Sequence, residues 1–144
     1  CRIGGITAGL DRPTIDTVTH YGQRVGMVFQ IVDDILDVVA TDEELGKPAG
    51  NDLVEGVYTL PTIRALAASD TSGALRTLLR RHIQPEEVAE ARRLIRSNGA
   101  VPASLDVARG YASEAVAAVA DLPPGPETAA LEALTAKLIG SVAP

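Results

Sequence analysis

Val25-Gly26-Met27-Val28-Phe29-Gln30-Ile31-Val32-Asp33-Asp34-Ile35-Leu36-Asp37-Val38-Val39 sets three carboxylates, those of Asp33, Asp34 and Asp37, into an otherwise apolar run. An ionised carboxylate is costly to bury without compensation. Three on one buried helix must either take up protons through a raised pKa or hold cations. Hard oxygen donors suit Mg²⁺, which binds through one or two carboxylates, several waters and substrate phosphates.

Working outward, Asp11-Arg12-Pro13 is a helix start: a capping Asp, then a Pro where the first-turn N–H is dispensable. No further Pro occurs until position 48, and Ile15, Val18, Tyr21, Val25, Val28, Val32, Leu36 and Val39 recur at three- and four-residue spacing. This predicts one long helix from about residue 13 to 40, apolar over most of its girth and buried centrally. On it Asp33 and Asp37 share a face one turn apart, with Gln30 on the same stripe and Asp34 about 100° round. Like charges at this spacing oppose the bare helix, and burial sharpens the effect. At least one raised carboxyl pKa is therefore expected without metal, and three ionised groups with it.

Thr41 to Gly56 carries three glycines, a proline and many charges, and reads as a loop with a short helical turn at its start. Loops this long are more often functional than incidental. Lys47 follows Gly46, and Asp52 follows Gly50 and Asn51. A lysine beside a metal–carboxylate cluster is a natural phosphate partner, and glycines allow close backbone approach. The sum is a site for a metal-bound polyphosphate.

The rest of the chain reads as helix. One resumes near Pro61 and is broken by Ser69 to Gly73; others are expected over Leu75 to His82, from Gln84-Pro85-Glu86-Glu87 to Asn98-Gly99, and over Pro102 to Leu122. Pro123-Pro124-Gly125-Pro126 reads as a rigid linker before a final amphipathic helix, Glu127 to Ile139. There is no strand-like alternation and no internal repeat, so the fold class is all-α. Position 1 is Cys rather than Met, and Cys1 to Leu10 reads like the tail of a helix already under way. Residues 1–144 are accordingly expected to be the carboxy-terminal portion of a single all-α domain.

Composition limits the function classes. The formal net charge of -6 argues against a nucleic-acid partner, which calls for a basic face. No run of 18 apolar residues exists, so no membrane span is expected. Cys1, the sole cysteine, excludes an internal disulfide and a cysteine zinc site and fits a reducing cytoplasm. An EF-hand is a poor match, lacking alternating ligands and a central glycine. His20 and Tyr21 read as core or interface residues, His82 as a helix-end cap, and Arg80-Arg81 and Arg92-Arg93 as solvated faces.

Gly26-Met27-Val28-Phe29-Gln30-Ile31-Val32-Asp33-Asp34-Ile35-Leu36-Asp37, then Gly46-Lys47, Gly50-Asn51-Asp52-Leu53-Val54-Glu55-Gly56 and Thr59-Leu60-Pro61, resembles the second aspartate-rich region of the trans-isoprenyl diphosphate synthases, the polyprenyl synthetases. The resemblance is strong over about residues 1–66 and generic beyond. It implies an isoprenoid-synthase-type helical bundle around a central cavity, with two Asp-rich motifs holding three Mg²⁺ ions on an allylic diphosphate. It further implies Asp33 and Asp37 as metal ligands, Asp34 in a water-mediated or outer role, and Asp52 holding a metal-bound water or orienting Lys47. Lys47 would contact the allylic diphosphate, Gln30 would lie beside the reacting prenyl groups, and Phe29 near the isopentenyl end. The implied activity is condensation of isopentenyl diphosphate with an allylic prenyl diphosphate in a cytoplasmic homodimer.

Two departures stand out. Val57 occupies a position where the family usually has a lysine, and the first aspartate motif is not among these residues. This chain alone is therefore expected to be inactive, with activity belonging to the complete protein. Two other readings stay open: a non-catalytic or regulatory subunit of such a synthase, and a class I terpene synthase-like cyclase.

Overall fold

The periodic stretch forms one continuous helix. In the computed structural model, which describes residues 1–68, 72–80 and 83–142, a short helix α1 (Arg2–Thr7) precedes α2 (Arg12–Val39), 28 residues long. Asp11 caps α2: its Oδ1 accepts the Thr14 N–H at 2.9 Å. Hydrogen bonds from Thr14 hold the Asp11 carboxyl below its ordinary range.

After α2 come α3 (Asp42–Leu45) and α4 (Asn51–Glu55), then α5 (Leu60–Ala67), α6 (Ser72–Leu79), α7 (Pro85–Ser97), α8 (Ala100–Val119) and α9 (Pro126–Gly140). No strand occurs among the described residues. The all-α expectation holds, with shifted boundaries: α6 begins at Ser72, inside the expected break, and α8 begins at Ala100 rather than Pro102. The expected break at Ser69 to Thr71, and the expected roles of Arg81 and His82, lie outside the described residues.

Two units are distinguishable: Cys1–Val32 with Val107–Pro144, and Asp33–Asp106. In the first, Tyr21 is a core residue, packed with Ala115 and Val119 against half-buried Val25, Leu122 and Leu131. Its hydroxyl donates to the Leu131 carbonyl at 2.8 Å, which satisfies the polar tip of a buried ring. His20, by contrast, is exposed. Arg24 pairs with Glu114 at 2.9 Å, its guanidinium 5.6 Å from the centre of the Tyr111 ring. The expected final helix is α9: Thr135 is buried and Leu131, Leu138 and Ile139 are half-buried beside it, while Leu134 at the edge of the same stripe is exposed and alanines fill much of the remaining girth.

In the second unit α5, α6 and α7 pack on one another and α4 lies against α7. The core includes Val38, Leu53, Leu75, Ile83, Ala91 and Ile95. The helix α7 starts with a reciprocal cap, in which the Glu87 carboxylate accepts the Gln84 N–H at 3.0 Å. It ends at Asn98, with Gly99 at φ +78° supplying the stop that its sequence suggested.

Candidate functional site

Within the second unit the site is built on the last two turns of α2 and the segment from Thr41 to Gly56. That segment is more ordered than a loop. The expected helical turn at its start is α3, closed by a capping box: Thr41 Oγ1 accepts the Glu44 N–H at 3.3 Å, and Glu44 Oε2 accepts the Thr41 N–H at 2.8 Å. Asp42 Oδ1 accepts the Ala49 N–H at 2.8 Å and fastens the turn that carries Lys47. A second helix, α4, was not foreseen from sequence.

Asp37 explains that second helix. It is 4% exposed, and its two carboxylate oxygens accept the N–H groups of Asn51 and Asp52, each at 3.3 Å. Its backbone carbonyl accepts the Gly50 N–H at 2.9 Å. Helix N-termini leave N–H groups without intrahelical partners and favour negative charge. The cap of α4 is thus a carboxylate brought from α2, since its own N-cap, Gly50, has no side chain. Gly50 is obligatory at its position: φ is +80°, and a Cβ would collide with Val88 and come within 2.9 Å of Arg92 Cδ.

The three motif aspartates therefore differ. Asp34 (7% exposed) and Asp37 are buried, as expected, whereas Asp33 is exposed. Solvent reaches the Asp33 face of the rod, which the apolar flanks alone did not reveal. The raised carboxyl belongs to Asp52, outside the motif trio on which it was expected: burial pushes it up first, the Asp37 and Asp34 charges add to that, Lys47 opposes them, and Asp33 contributes least. Lys47, itself exposed, is close enough for its charge to be felt by Asp52. The structure thus gathers Asp33, Asp34, Asp37, Lys47 and Asp52 into one electrostatic neighbourhood with excess negative charge.

Among the described residues no three His, Cys, Asp or Glu side chains converge as a ready-made metal cage. The donor set still fits a hard divalent cation. Mg²⁺ asks for one or two carboxylates and completes its shell with water and phosphate oxygens. Burial is the main cause of the raised Asp52 carboxyl; the Asp37 and Asp34 repulsion that adds to it is what such a cation relieves.

Phe29 (58% exposed) and Gln30, also exposed, belong to the first unit. Val57, the departure from the lysine pattern, is 49% exposed. Sequence reasoning missed Arg92, read as part of a solvated pair. Arg93 does face solvent, ion-paired to Glu90 at 2.7 Å, but Arg92 is half-buried and bonded to α2. Val88, Ala91, Leu94 and Ile95 trace the buried face of α7, and Arg92 falls four residues after Val88, at that face's edge. That spacing was the available signal.

Comparison with known proteins agrees with this architecture. The polyprenyl synthetase family model matches residues 1–96, two thirds of the chain. The chain belongs to that family. It is 36% identical over 140 residues to heptaprenyl diphosphate synthase component 2 of Bacillus subtilis, covering 97% of this chain and 40% of that protein. It is 38% identical over 135 residues to nonaprenyl diphosphate synthase of Mycobacterium tuberculosis, covering 92% and 40%. Among solved structures, geranylgeranyl pyrophosphate synthase of Corynebacterium glutamicum, complexed with calcium and isoprenyl diphosphate, superposes with a TM-score of 0.89 at 34% identity, covering 99% of this chain and 45% of that one. The chain thus spans 40% of the length of these two curated relatives. No helix among the described residues is long and apolar enough to cross a membrane.

Proposed function

We propose that these residues form the diphosphate-ionising half of a Mg²⁺-dependent trans-prenyltransferase, which in the full-length protein condenses isopentenyl diphosphate with an allylic prenyl diphosphate. The observation that carries this is the concentration of carboxylate charge at Asp33, Asp34, Asp37 and Asp52, opposed by Lys47 alone among the groups felt at Asp52. Bound cations would neutralise the leaving diphosphate and so ease rupture of the allylic C–O bond. Asp33, the exposed member, is the proposed direct ligand. Asp37 is proposed to act chiefly by fixing α4 and Asp52, since both its oxygens already accept backbone N–H groups. Asp34 and Asp52 take outer or water-mediated roles. Lys47, on a flexible stem, would bind a diphosphate oxygen. On the family resemblance, Gln30 would lie beside the reacting prenyl groups and Phe29 near the isopentenyl end.

Self-association into a homodimer belongs to the same proposal, as does a cytoplasmic setting, where the free thiol of Cys1 is at home. A second reading, a non-catalytic subunit of such a synthase, is favoured by Val57 alone, which removes one expected cation from the diphosphate neighbourhood.

The test is product analysis on the full-length protein with radiolabelled isopentenyl diphosphate and an allylic primer, with and without Mg²⁺. Longer prenyl diphosphates formed only with Mg²⁺ are expected. Cyclised products would favour the cyclase, and no product without an added partner chain would favour the subunit.

Asp52 supplies a prediction that does not depend on turnover. Its folded-state pKa is raised, so the folded protein holds that proton more tightly than the unfolded chain does. Stability from this group is therefore present below the ordinary carboxylate value and lost as pH rises through the folded value. In chelator-treated full-length protein, Asp52→Asn should flatten that loss, and Mg²⁺ should abolish the difference between variant and wild type. Thermal melts across the acidic range read both effects, and identical profiles with and without Mg²⁺ would remove the cation from this site.

A further inference from the structure

Arg92 lies outside every motif that pointed to the site, yet it touches the site's frame at two places. Its Nε donates to the Val38 carbonyl at 3.0 Å, and its Nη2 donates to the Ala40 carbonyl. Arg96 adds a longer bond to Val38 at 3.5 Å. Val38 lies in the last turn of α2 and Ala40 just past its end, where intrahelical partners run out and the helix dipole favours a cation. Its aliphatic stem, with Val88, closes over Gly50 so tightly that no Cβ fits there. Gly50 in turn donates its N–H to the Asp37 carbonyl.

Gly50 is thus held between Asp37 on one side and the Arg92 stem on the other. From Gly50 the chain runs back to Lys47 and forward into Asp52. The planar fork of arginine reaches two carbonyls two residues apart, which a single ammonium does not reproduce. Burial, and then the neighbouring Arg96 charge, act against the Arg92 guanidinium and lower its pKa, while the Asp37 and Asp42 charges act in its favour.

We propose that Arg92 is a positioning residue for the diphosphate site: by clamping the end of the aspartate helix and covering Gly50, it sets where Lys47 and Asp52 stand relative to the carboxylates. The proposal rests on the prenyl-transfer reading for the name of the ligand, but the positioning itself is measurable without turnover.

The experiment compares R92Q and R92K in the full-length protein, with R93Q as an exposed control. Three readouts are taken: amide hydrogen exchange at Gly50, Asn51 and Asp52; affinity for inorganic pyrophosphate with Mg²⁺; and KM for the allylic and isopentenyl substrates separately. R92Q should speed exchange at those amides, weaken Mg²⁺–pyrophosphate binding and raise the allylic KM, the latter two by about tenfold, as for other groups that orient ligands. The isopentenyl KM should stay unchanged and R93Q should match wild type. R92K should recover only part of the loss, and it carries the test should R92Q fail to fold. Unchanged exchange and pyrophosphate affinity in folded R92Q or R92K would overturn the proposal, as would parallel shifts in both KM values. Wild-type protein that lacks prenyl transfer, but whose pyrophosphate binding R92Q weakens as stated, would sink the prenyl-transfer reading and uphold the positioning role.

Discussion

Asp33→Ala in the full-length protein is expected to lower the prenyl-transfer rate by on the order of a thousandfold, with stability changed by no more than about 0.5 kcal/mol. The asymmetry comes from where the three motif aspartates point. Asp33 is exposed, so truncating it opens no cavity. What disappears is a hard oxygen donor at a place where negative charge is already concentrated. Asp37→Ala is the contrast: it removes the acceptor for the Asn51 and Asp52 N–H groups and should cost stability as well as rate. Steady-state rates and thermal melts on both variants separate the cases. Undiminished rate in Asp33→Ala refutes the metal assignment, and a large loss of stability there would mean that Asp33 is structural.

Gly50→Ala is expected to be the most damaging single-methyl change in the second unit, costing about 3 kcal/mol or more. Two independent penalties combine. The backbone sits at φ +80°, where an L side chain is strained, and the added Cβ would collide with Val88 and crowd Arg92. The neighbours have little room to yield. Val88 is buried in the core of its unit, and Arg92 is tethered to α2. A loss of this size is a large fraction of the stability of an ordinary domain. Denaturant unfolding of Gly50→Ala beside Gly46→Ala gives a direct check. Gly46 shares the positive φ but meets nothing within 4 Å, so its variant should pay only the conformational part. Equal costs at the two positions would show that the close approach of Val88 does not matter.

Most of the helical architecture is written in local signals. Asp11-Arg12-Pro13 starts α2 and Asn98-Gly99 ends α7 because caps and stops act over three or four residues. The acidic stripe was legible for the same reason, since helical spacing alone fixes its register. What escaped was non-local. Asn51–Glu55 has no apolar period and no capping side chain of its own; its cap arrives from 14 residues upstream. Arg92 and Arg93 look alike in sequence, yet neighbours on a helix point 100° apart, and only one of them reaches α2. The exposure of Asp33 was likewise invisible, because apolar flanks report on the helix as a whole and not on one side of one turn.

The bond from Asp37 to the start of α4 bears on how far the motif can travel. An engineer who moved the Asp-Asp-x-x-Asp helix alone into a foreign scaffold would transfer the carboxylates and strand one of them, because its hydrogen-bond donors would stay behind. The smallest portable piece runs from Asp33 through α7, since the same grip needs Gly50 and the residues that press on it.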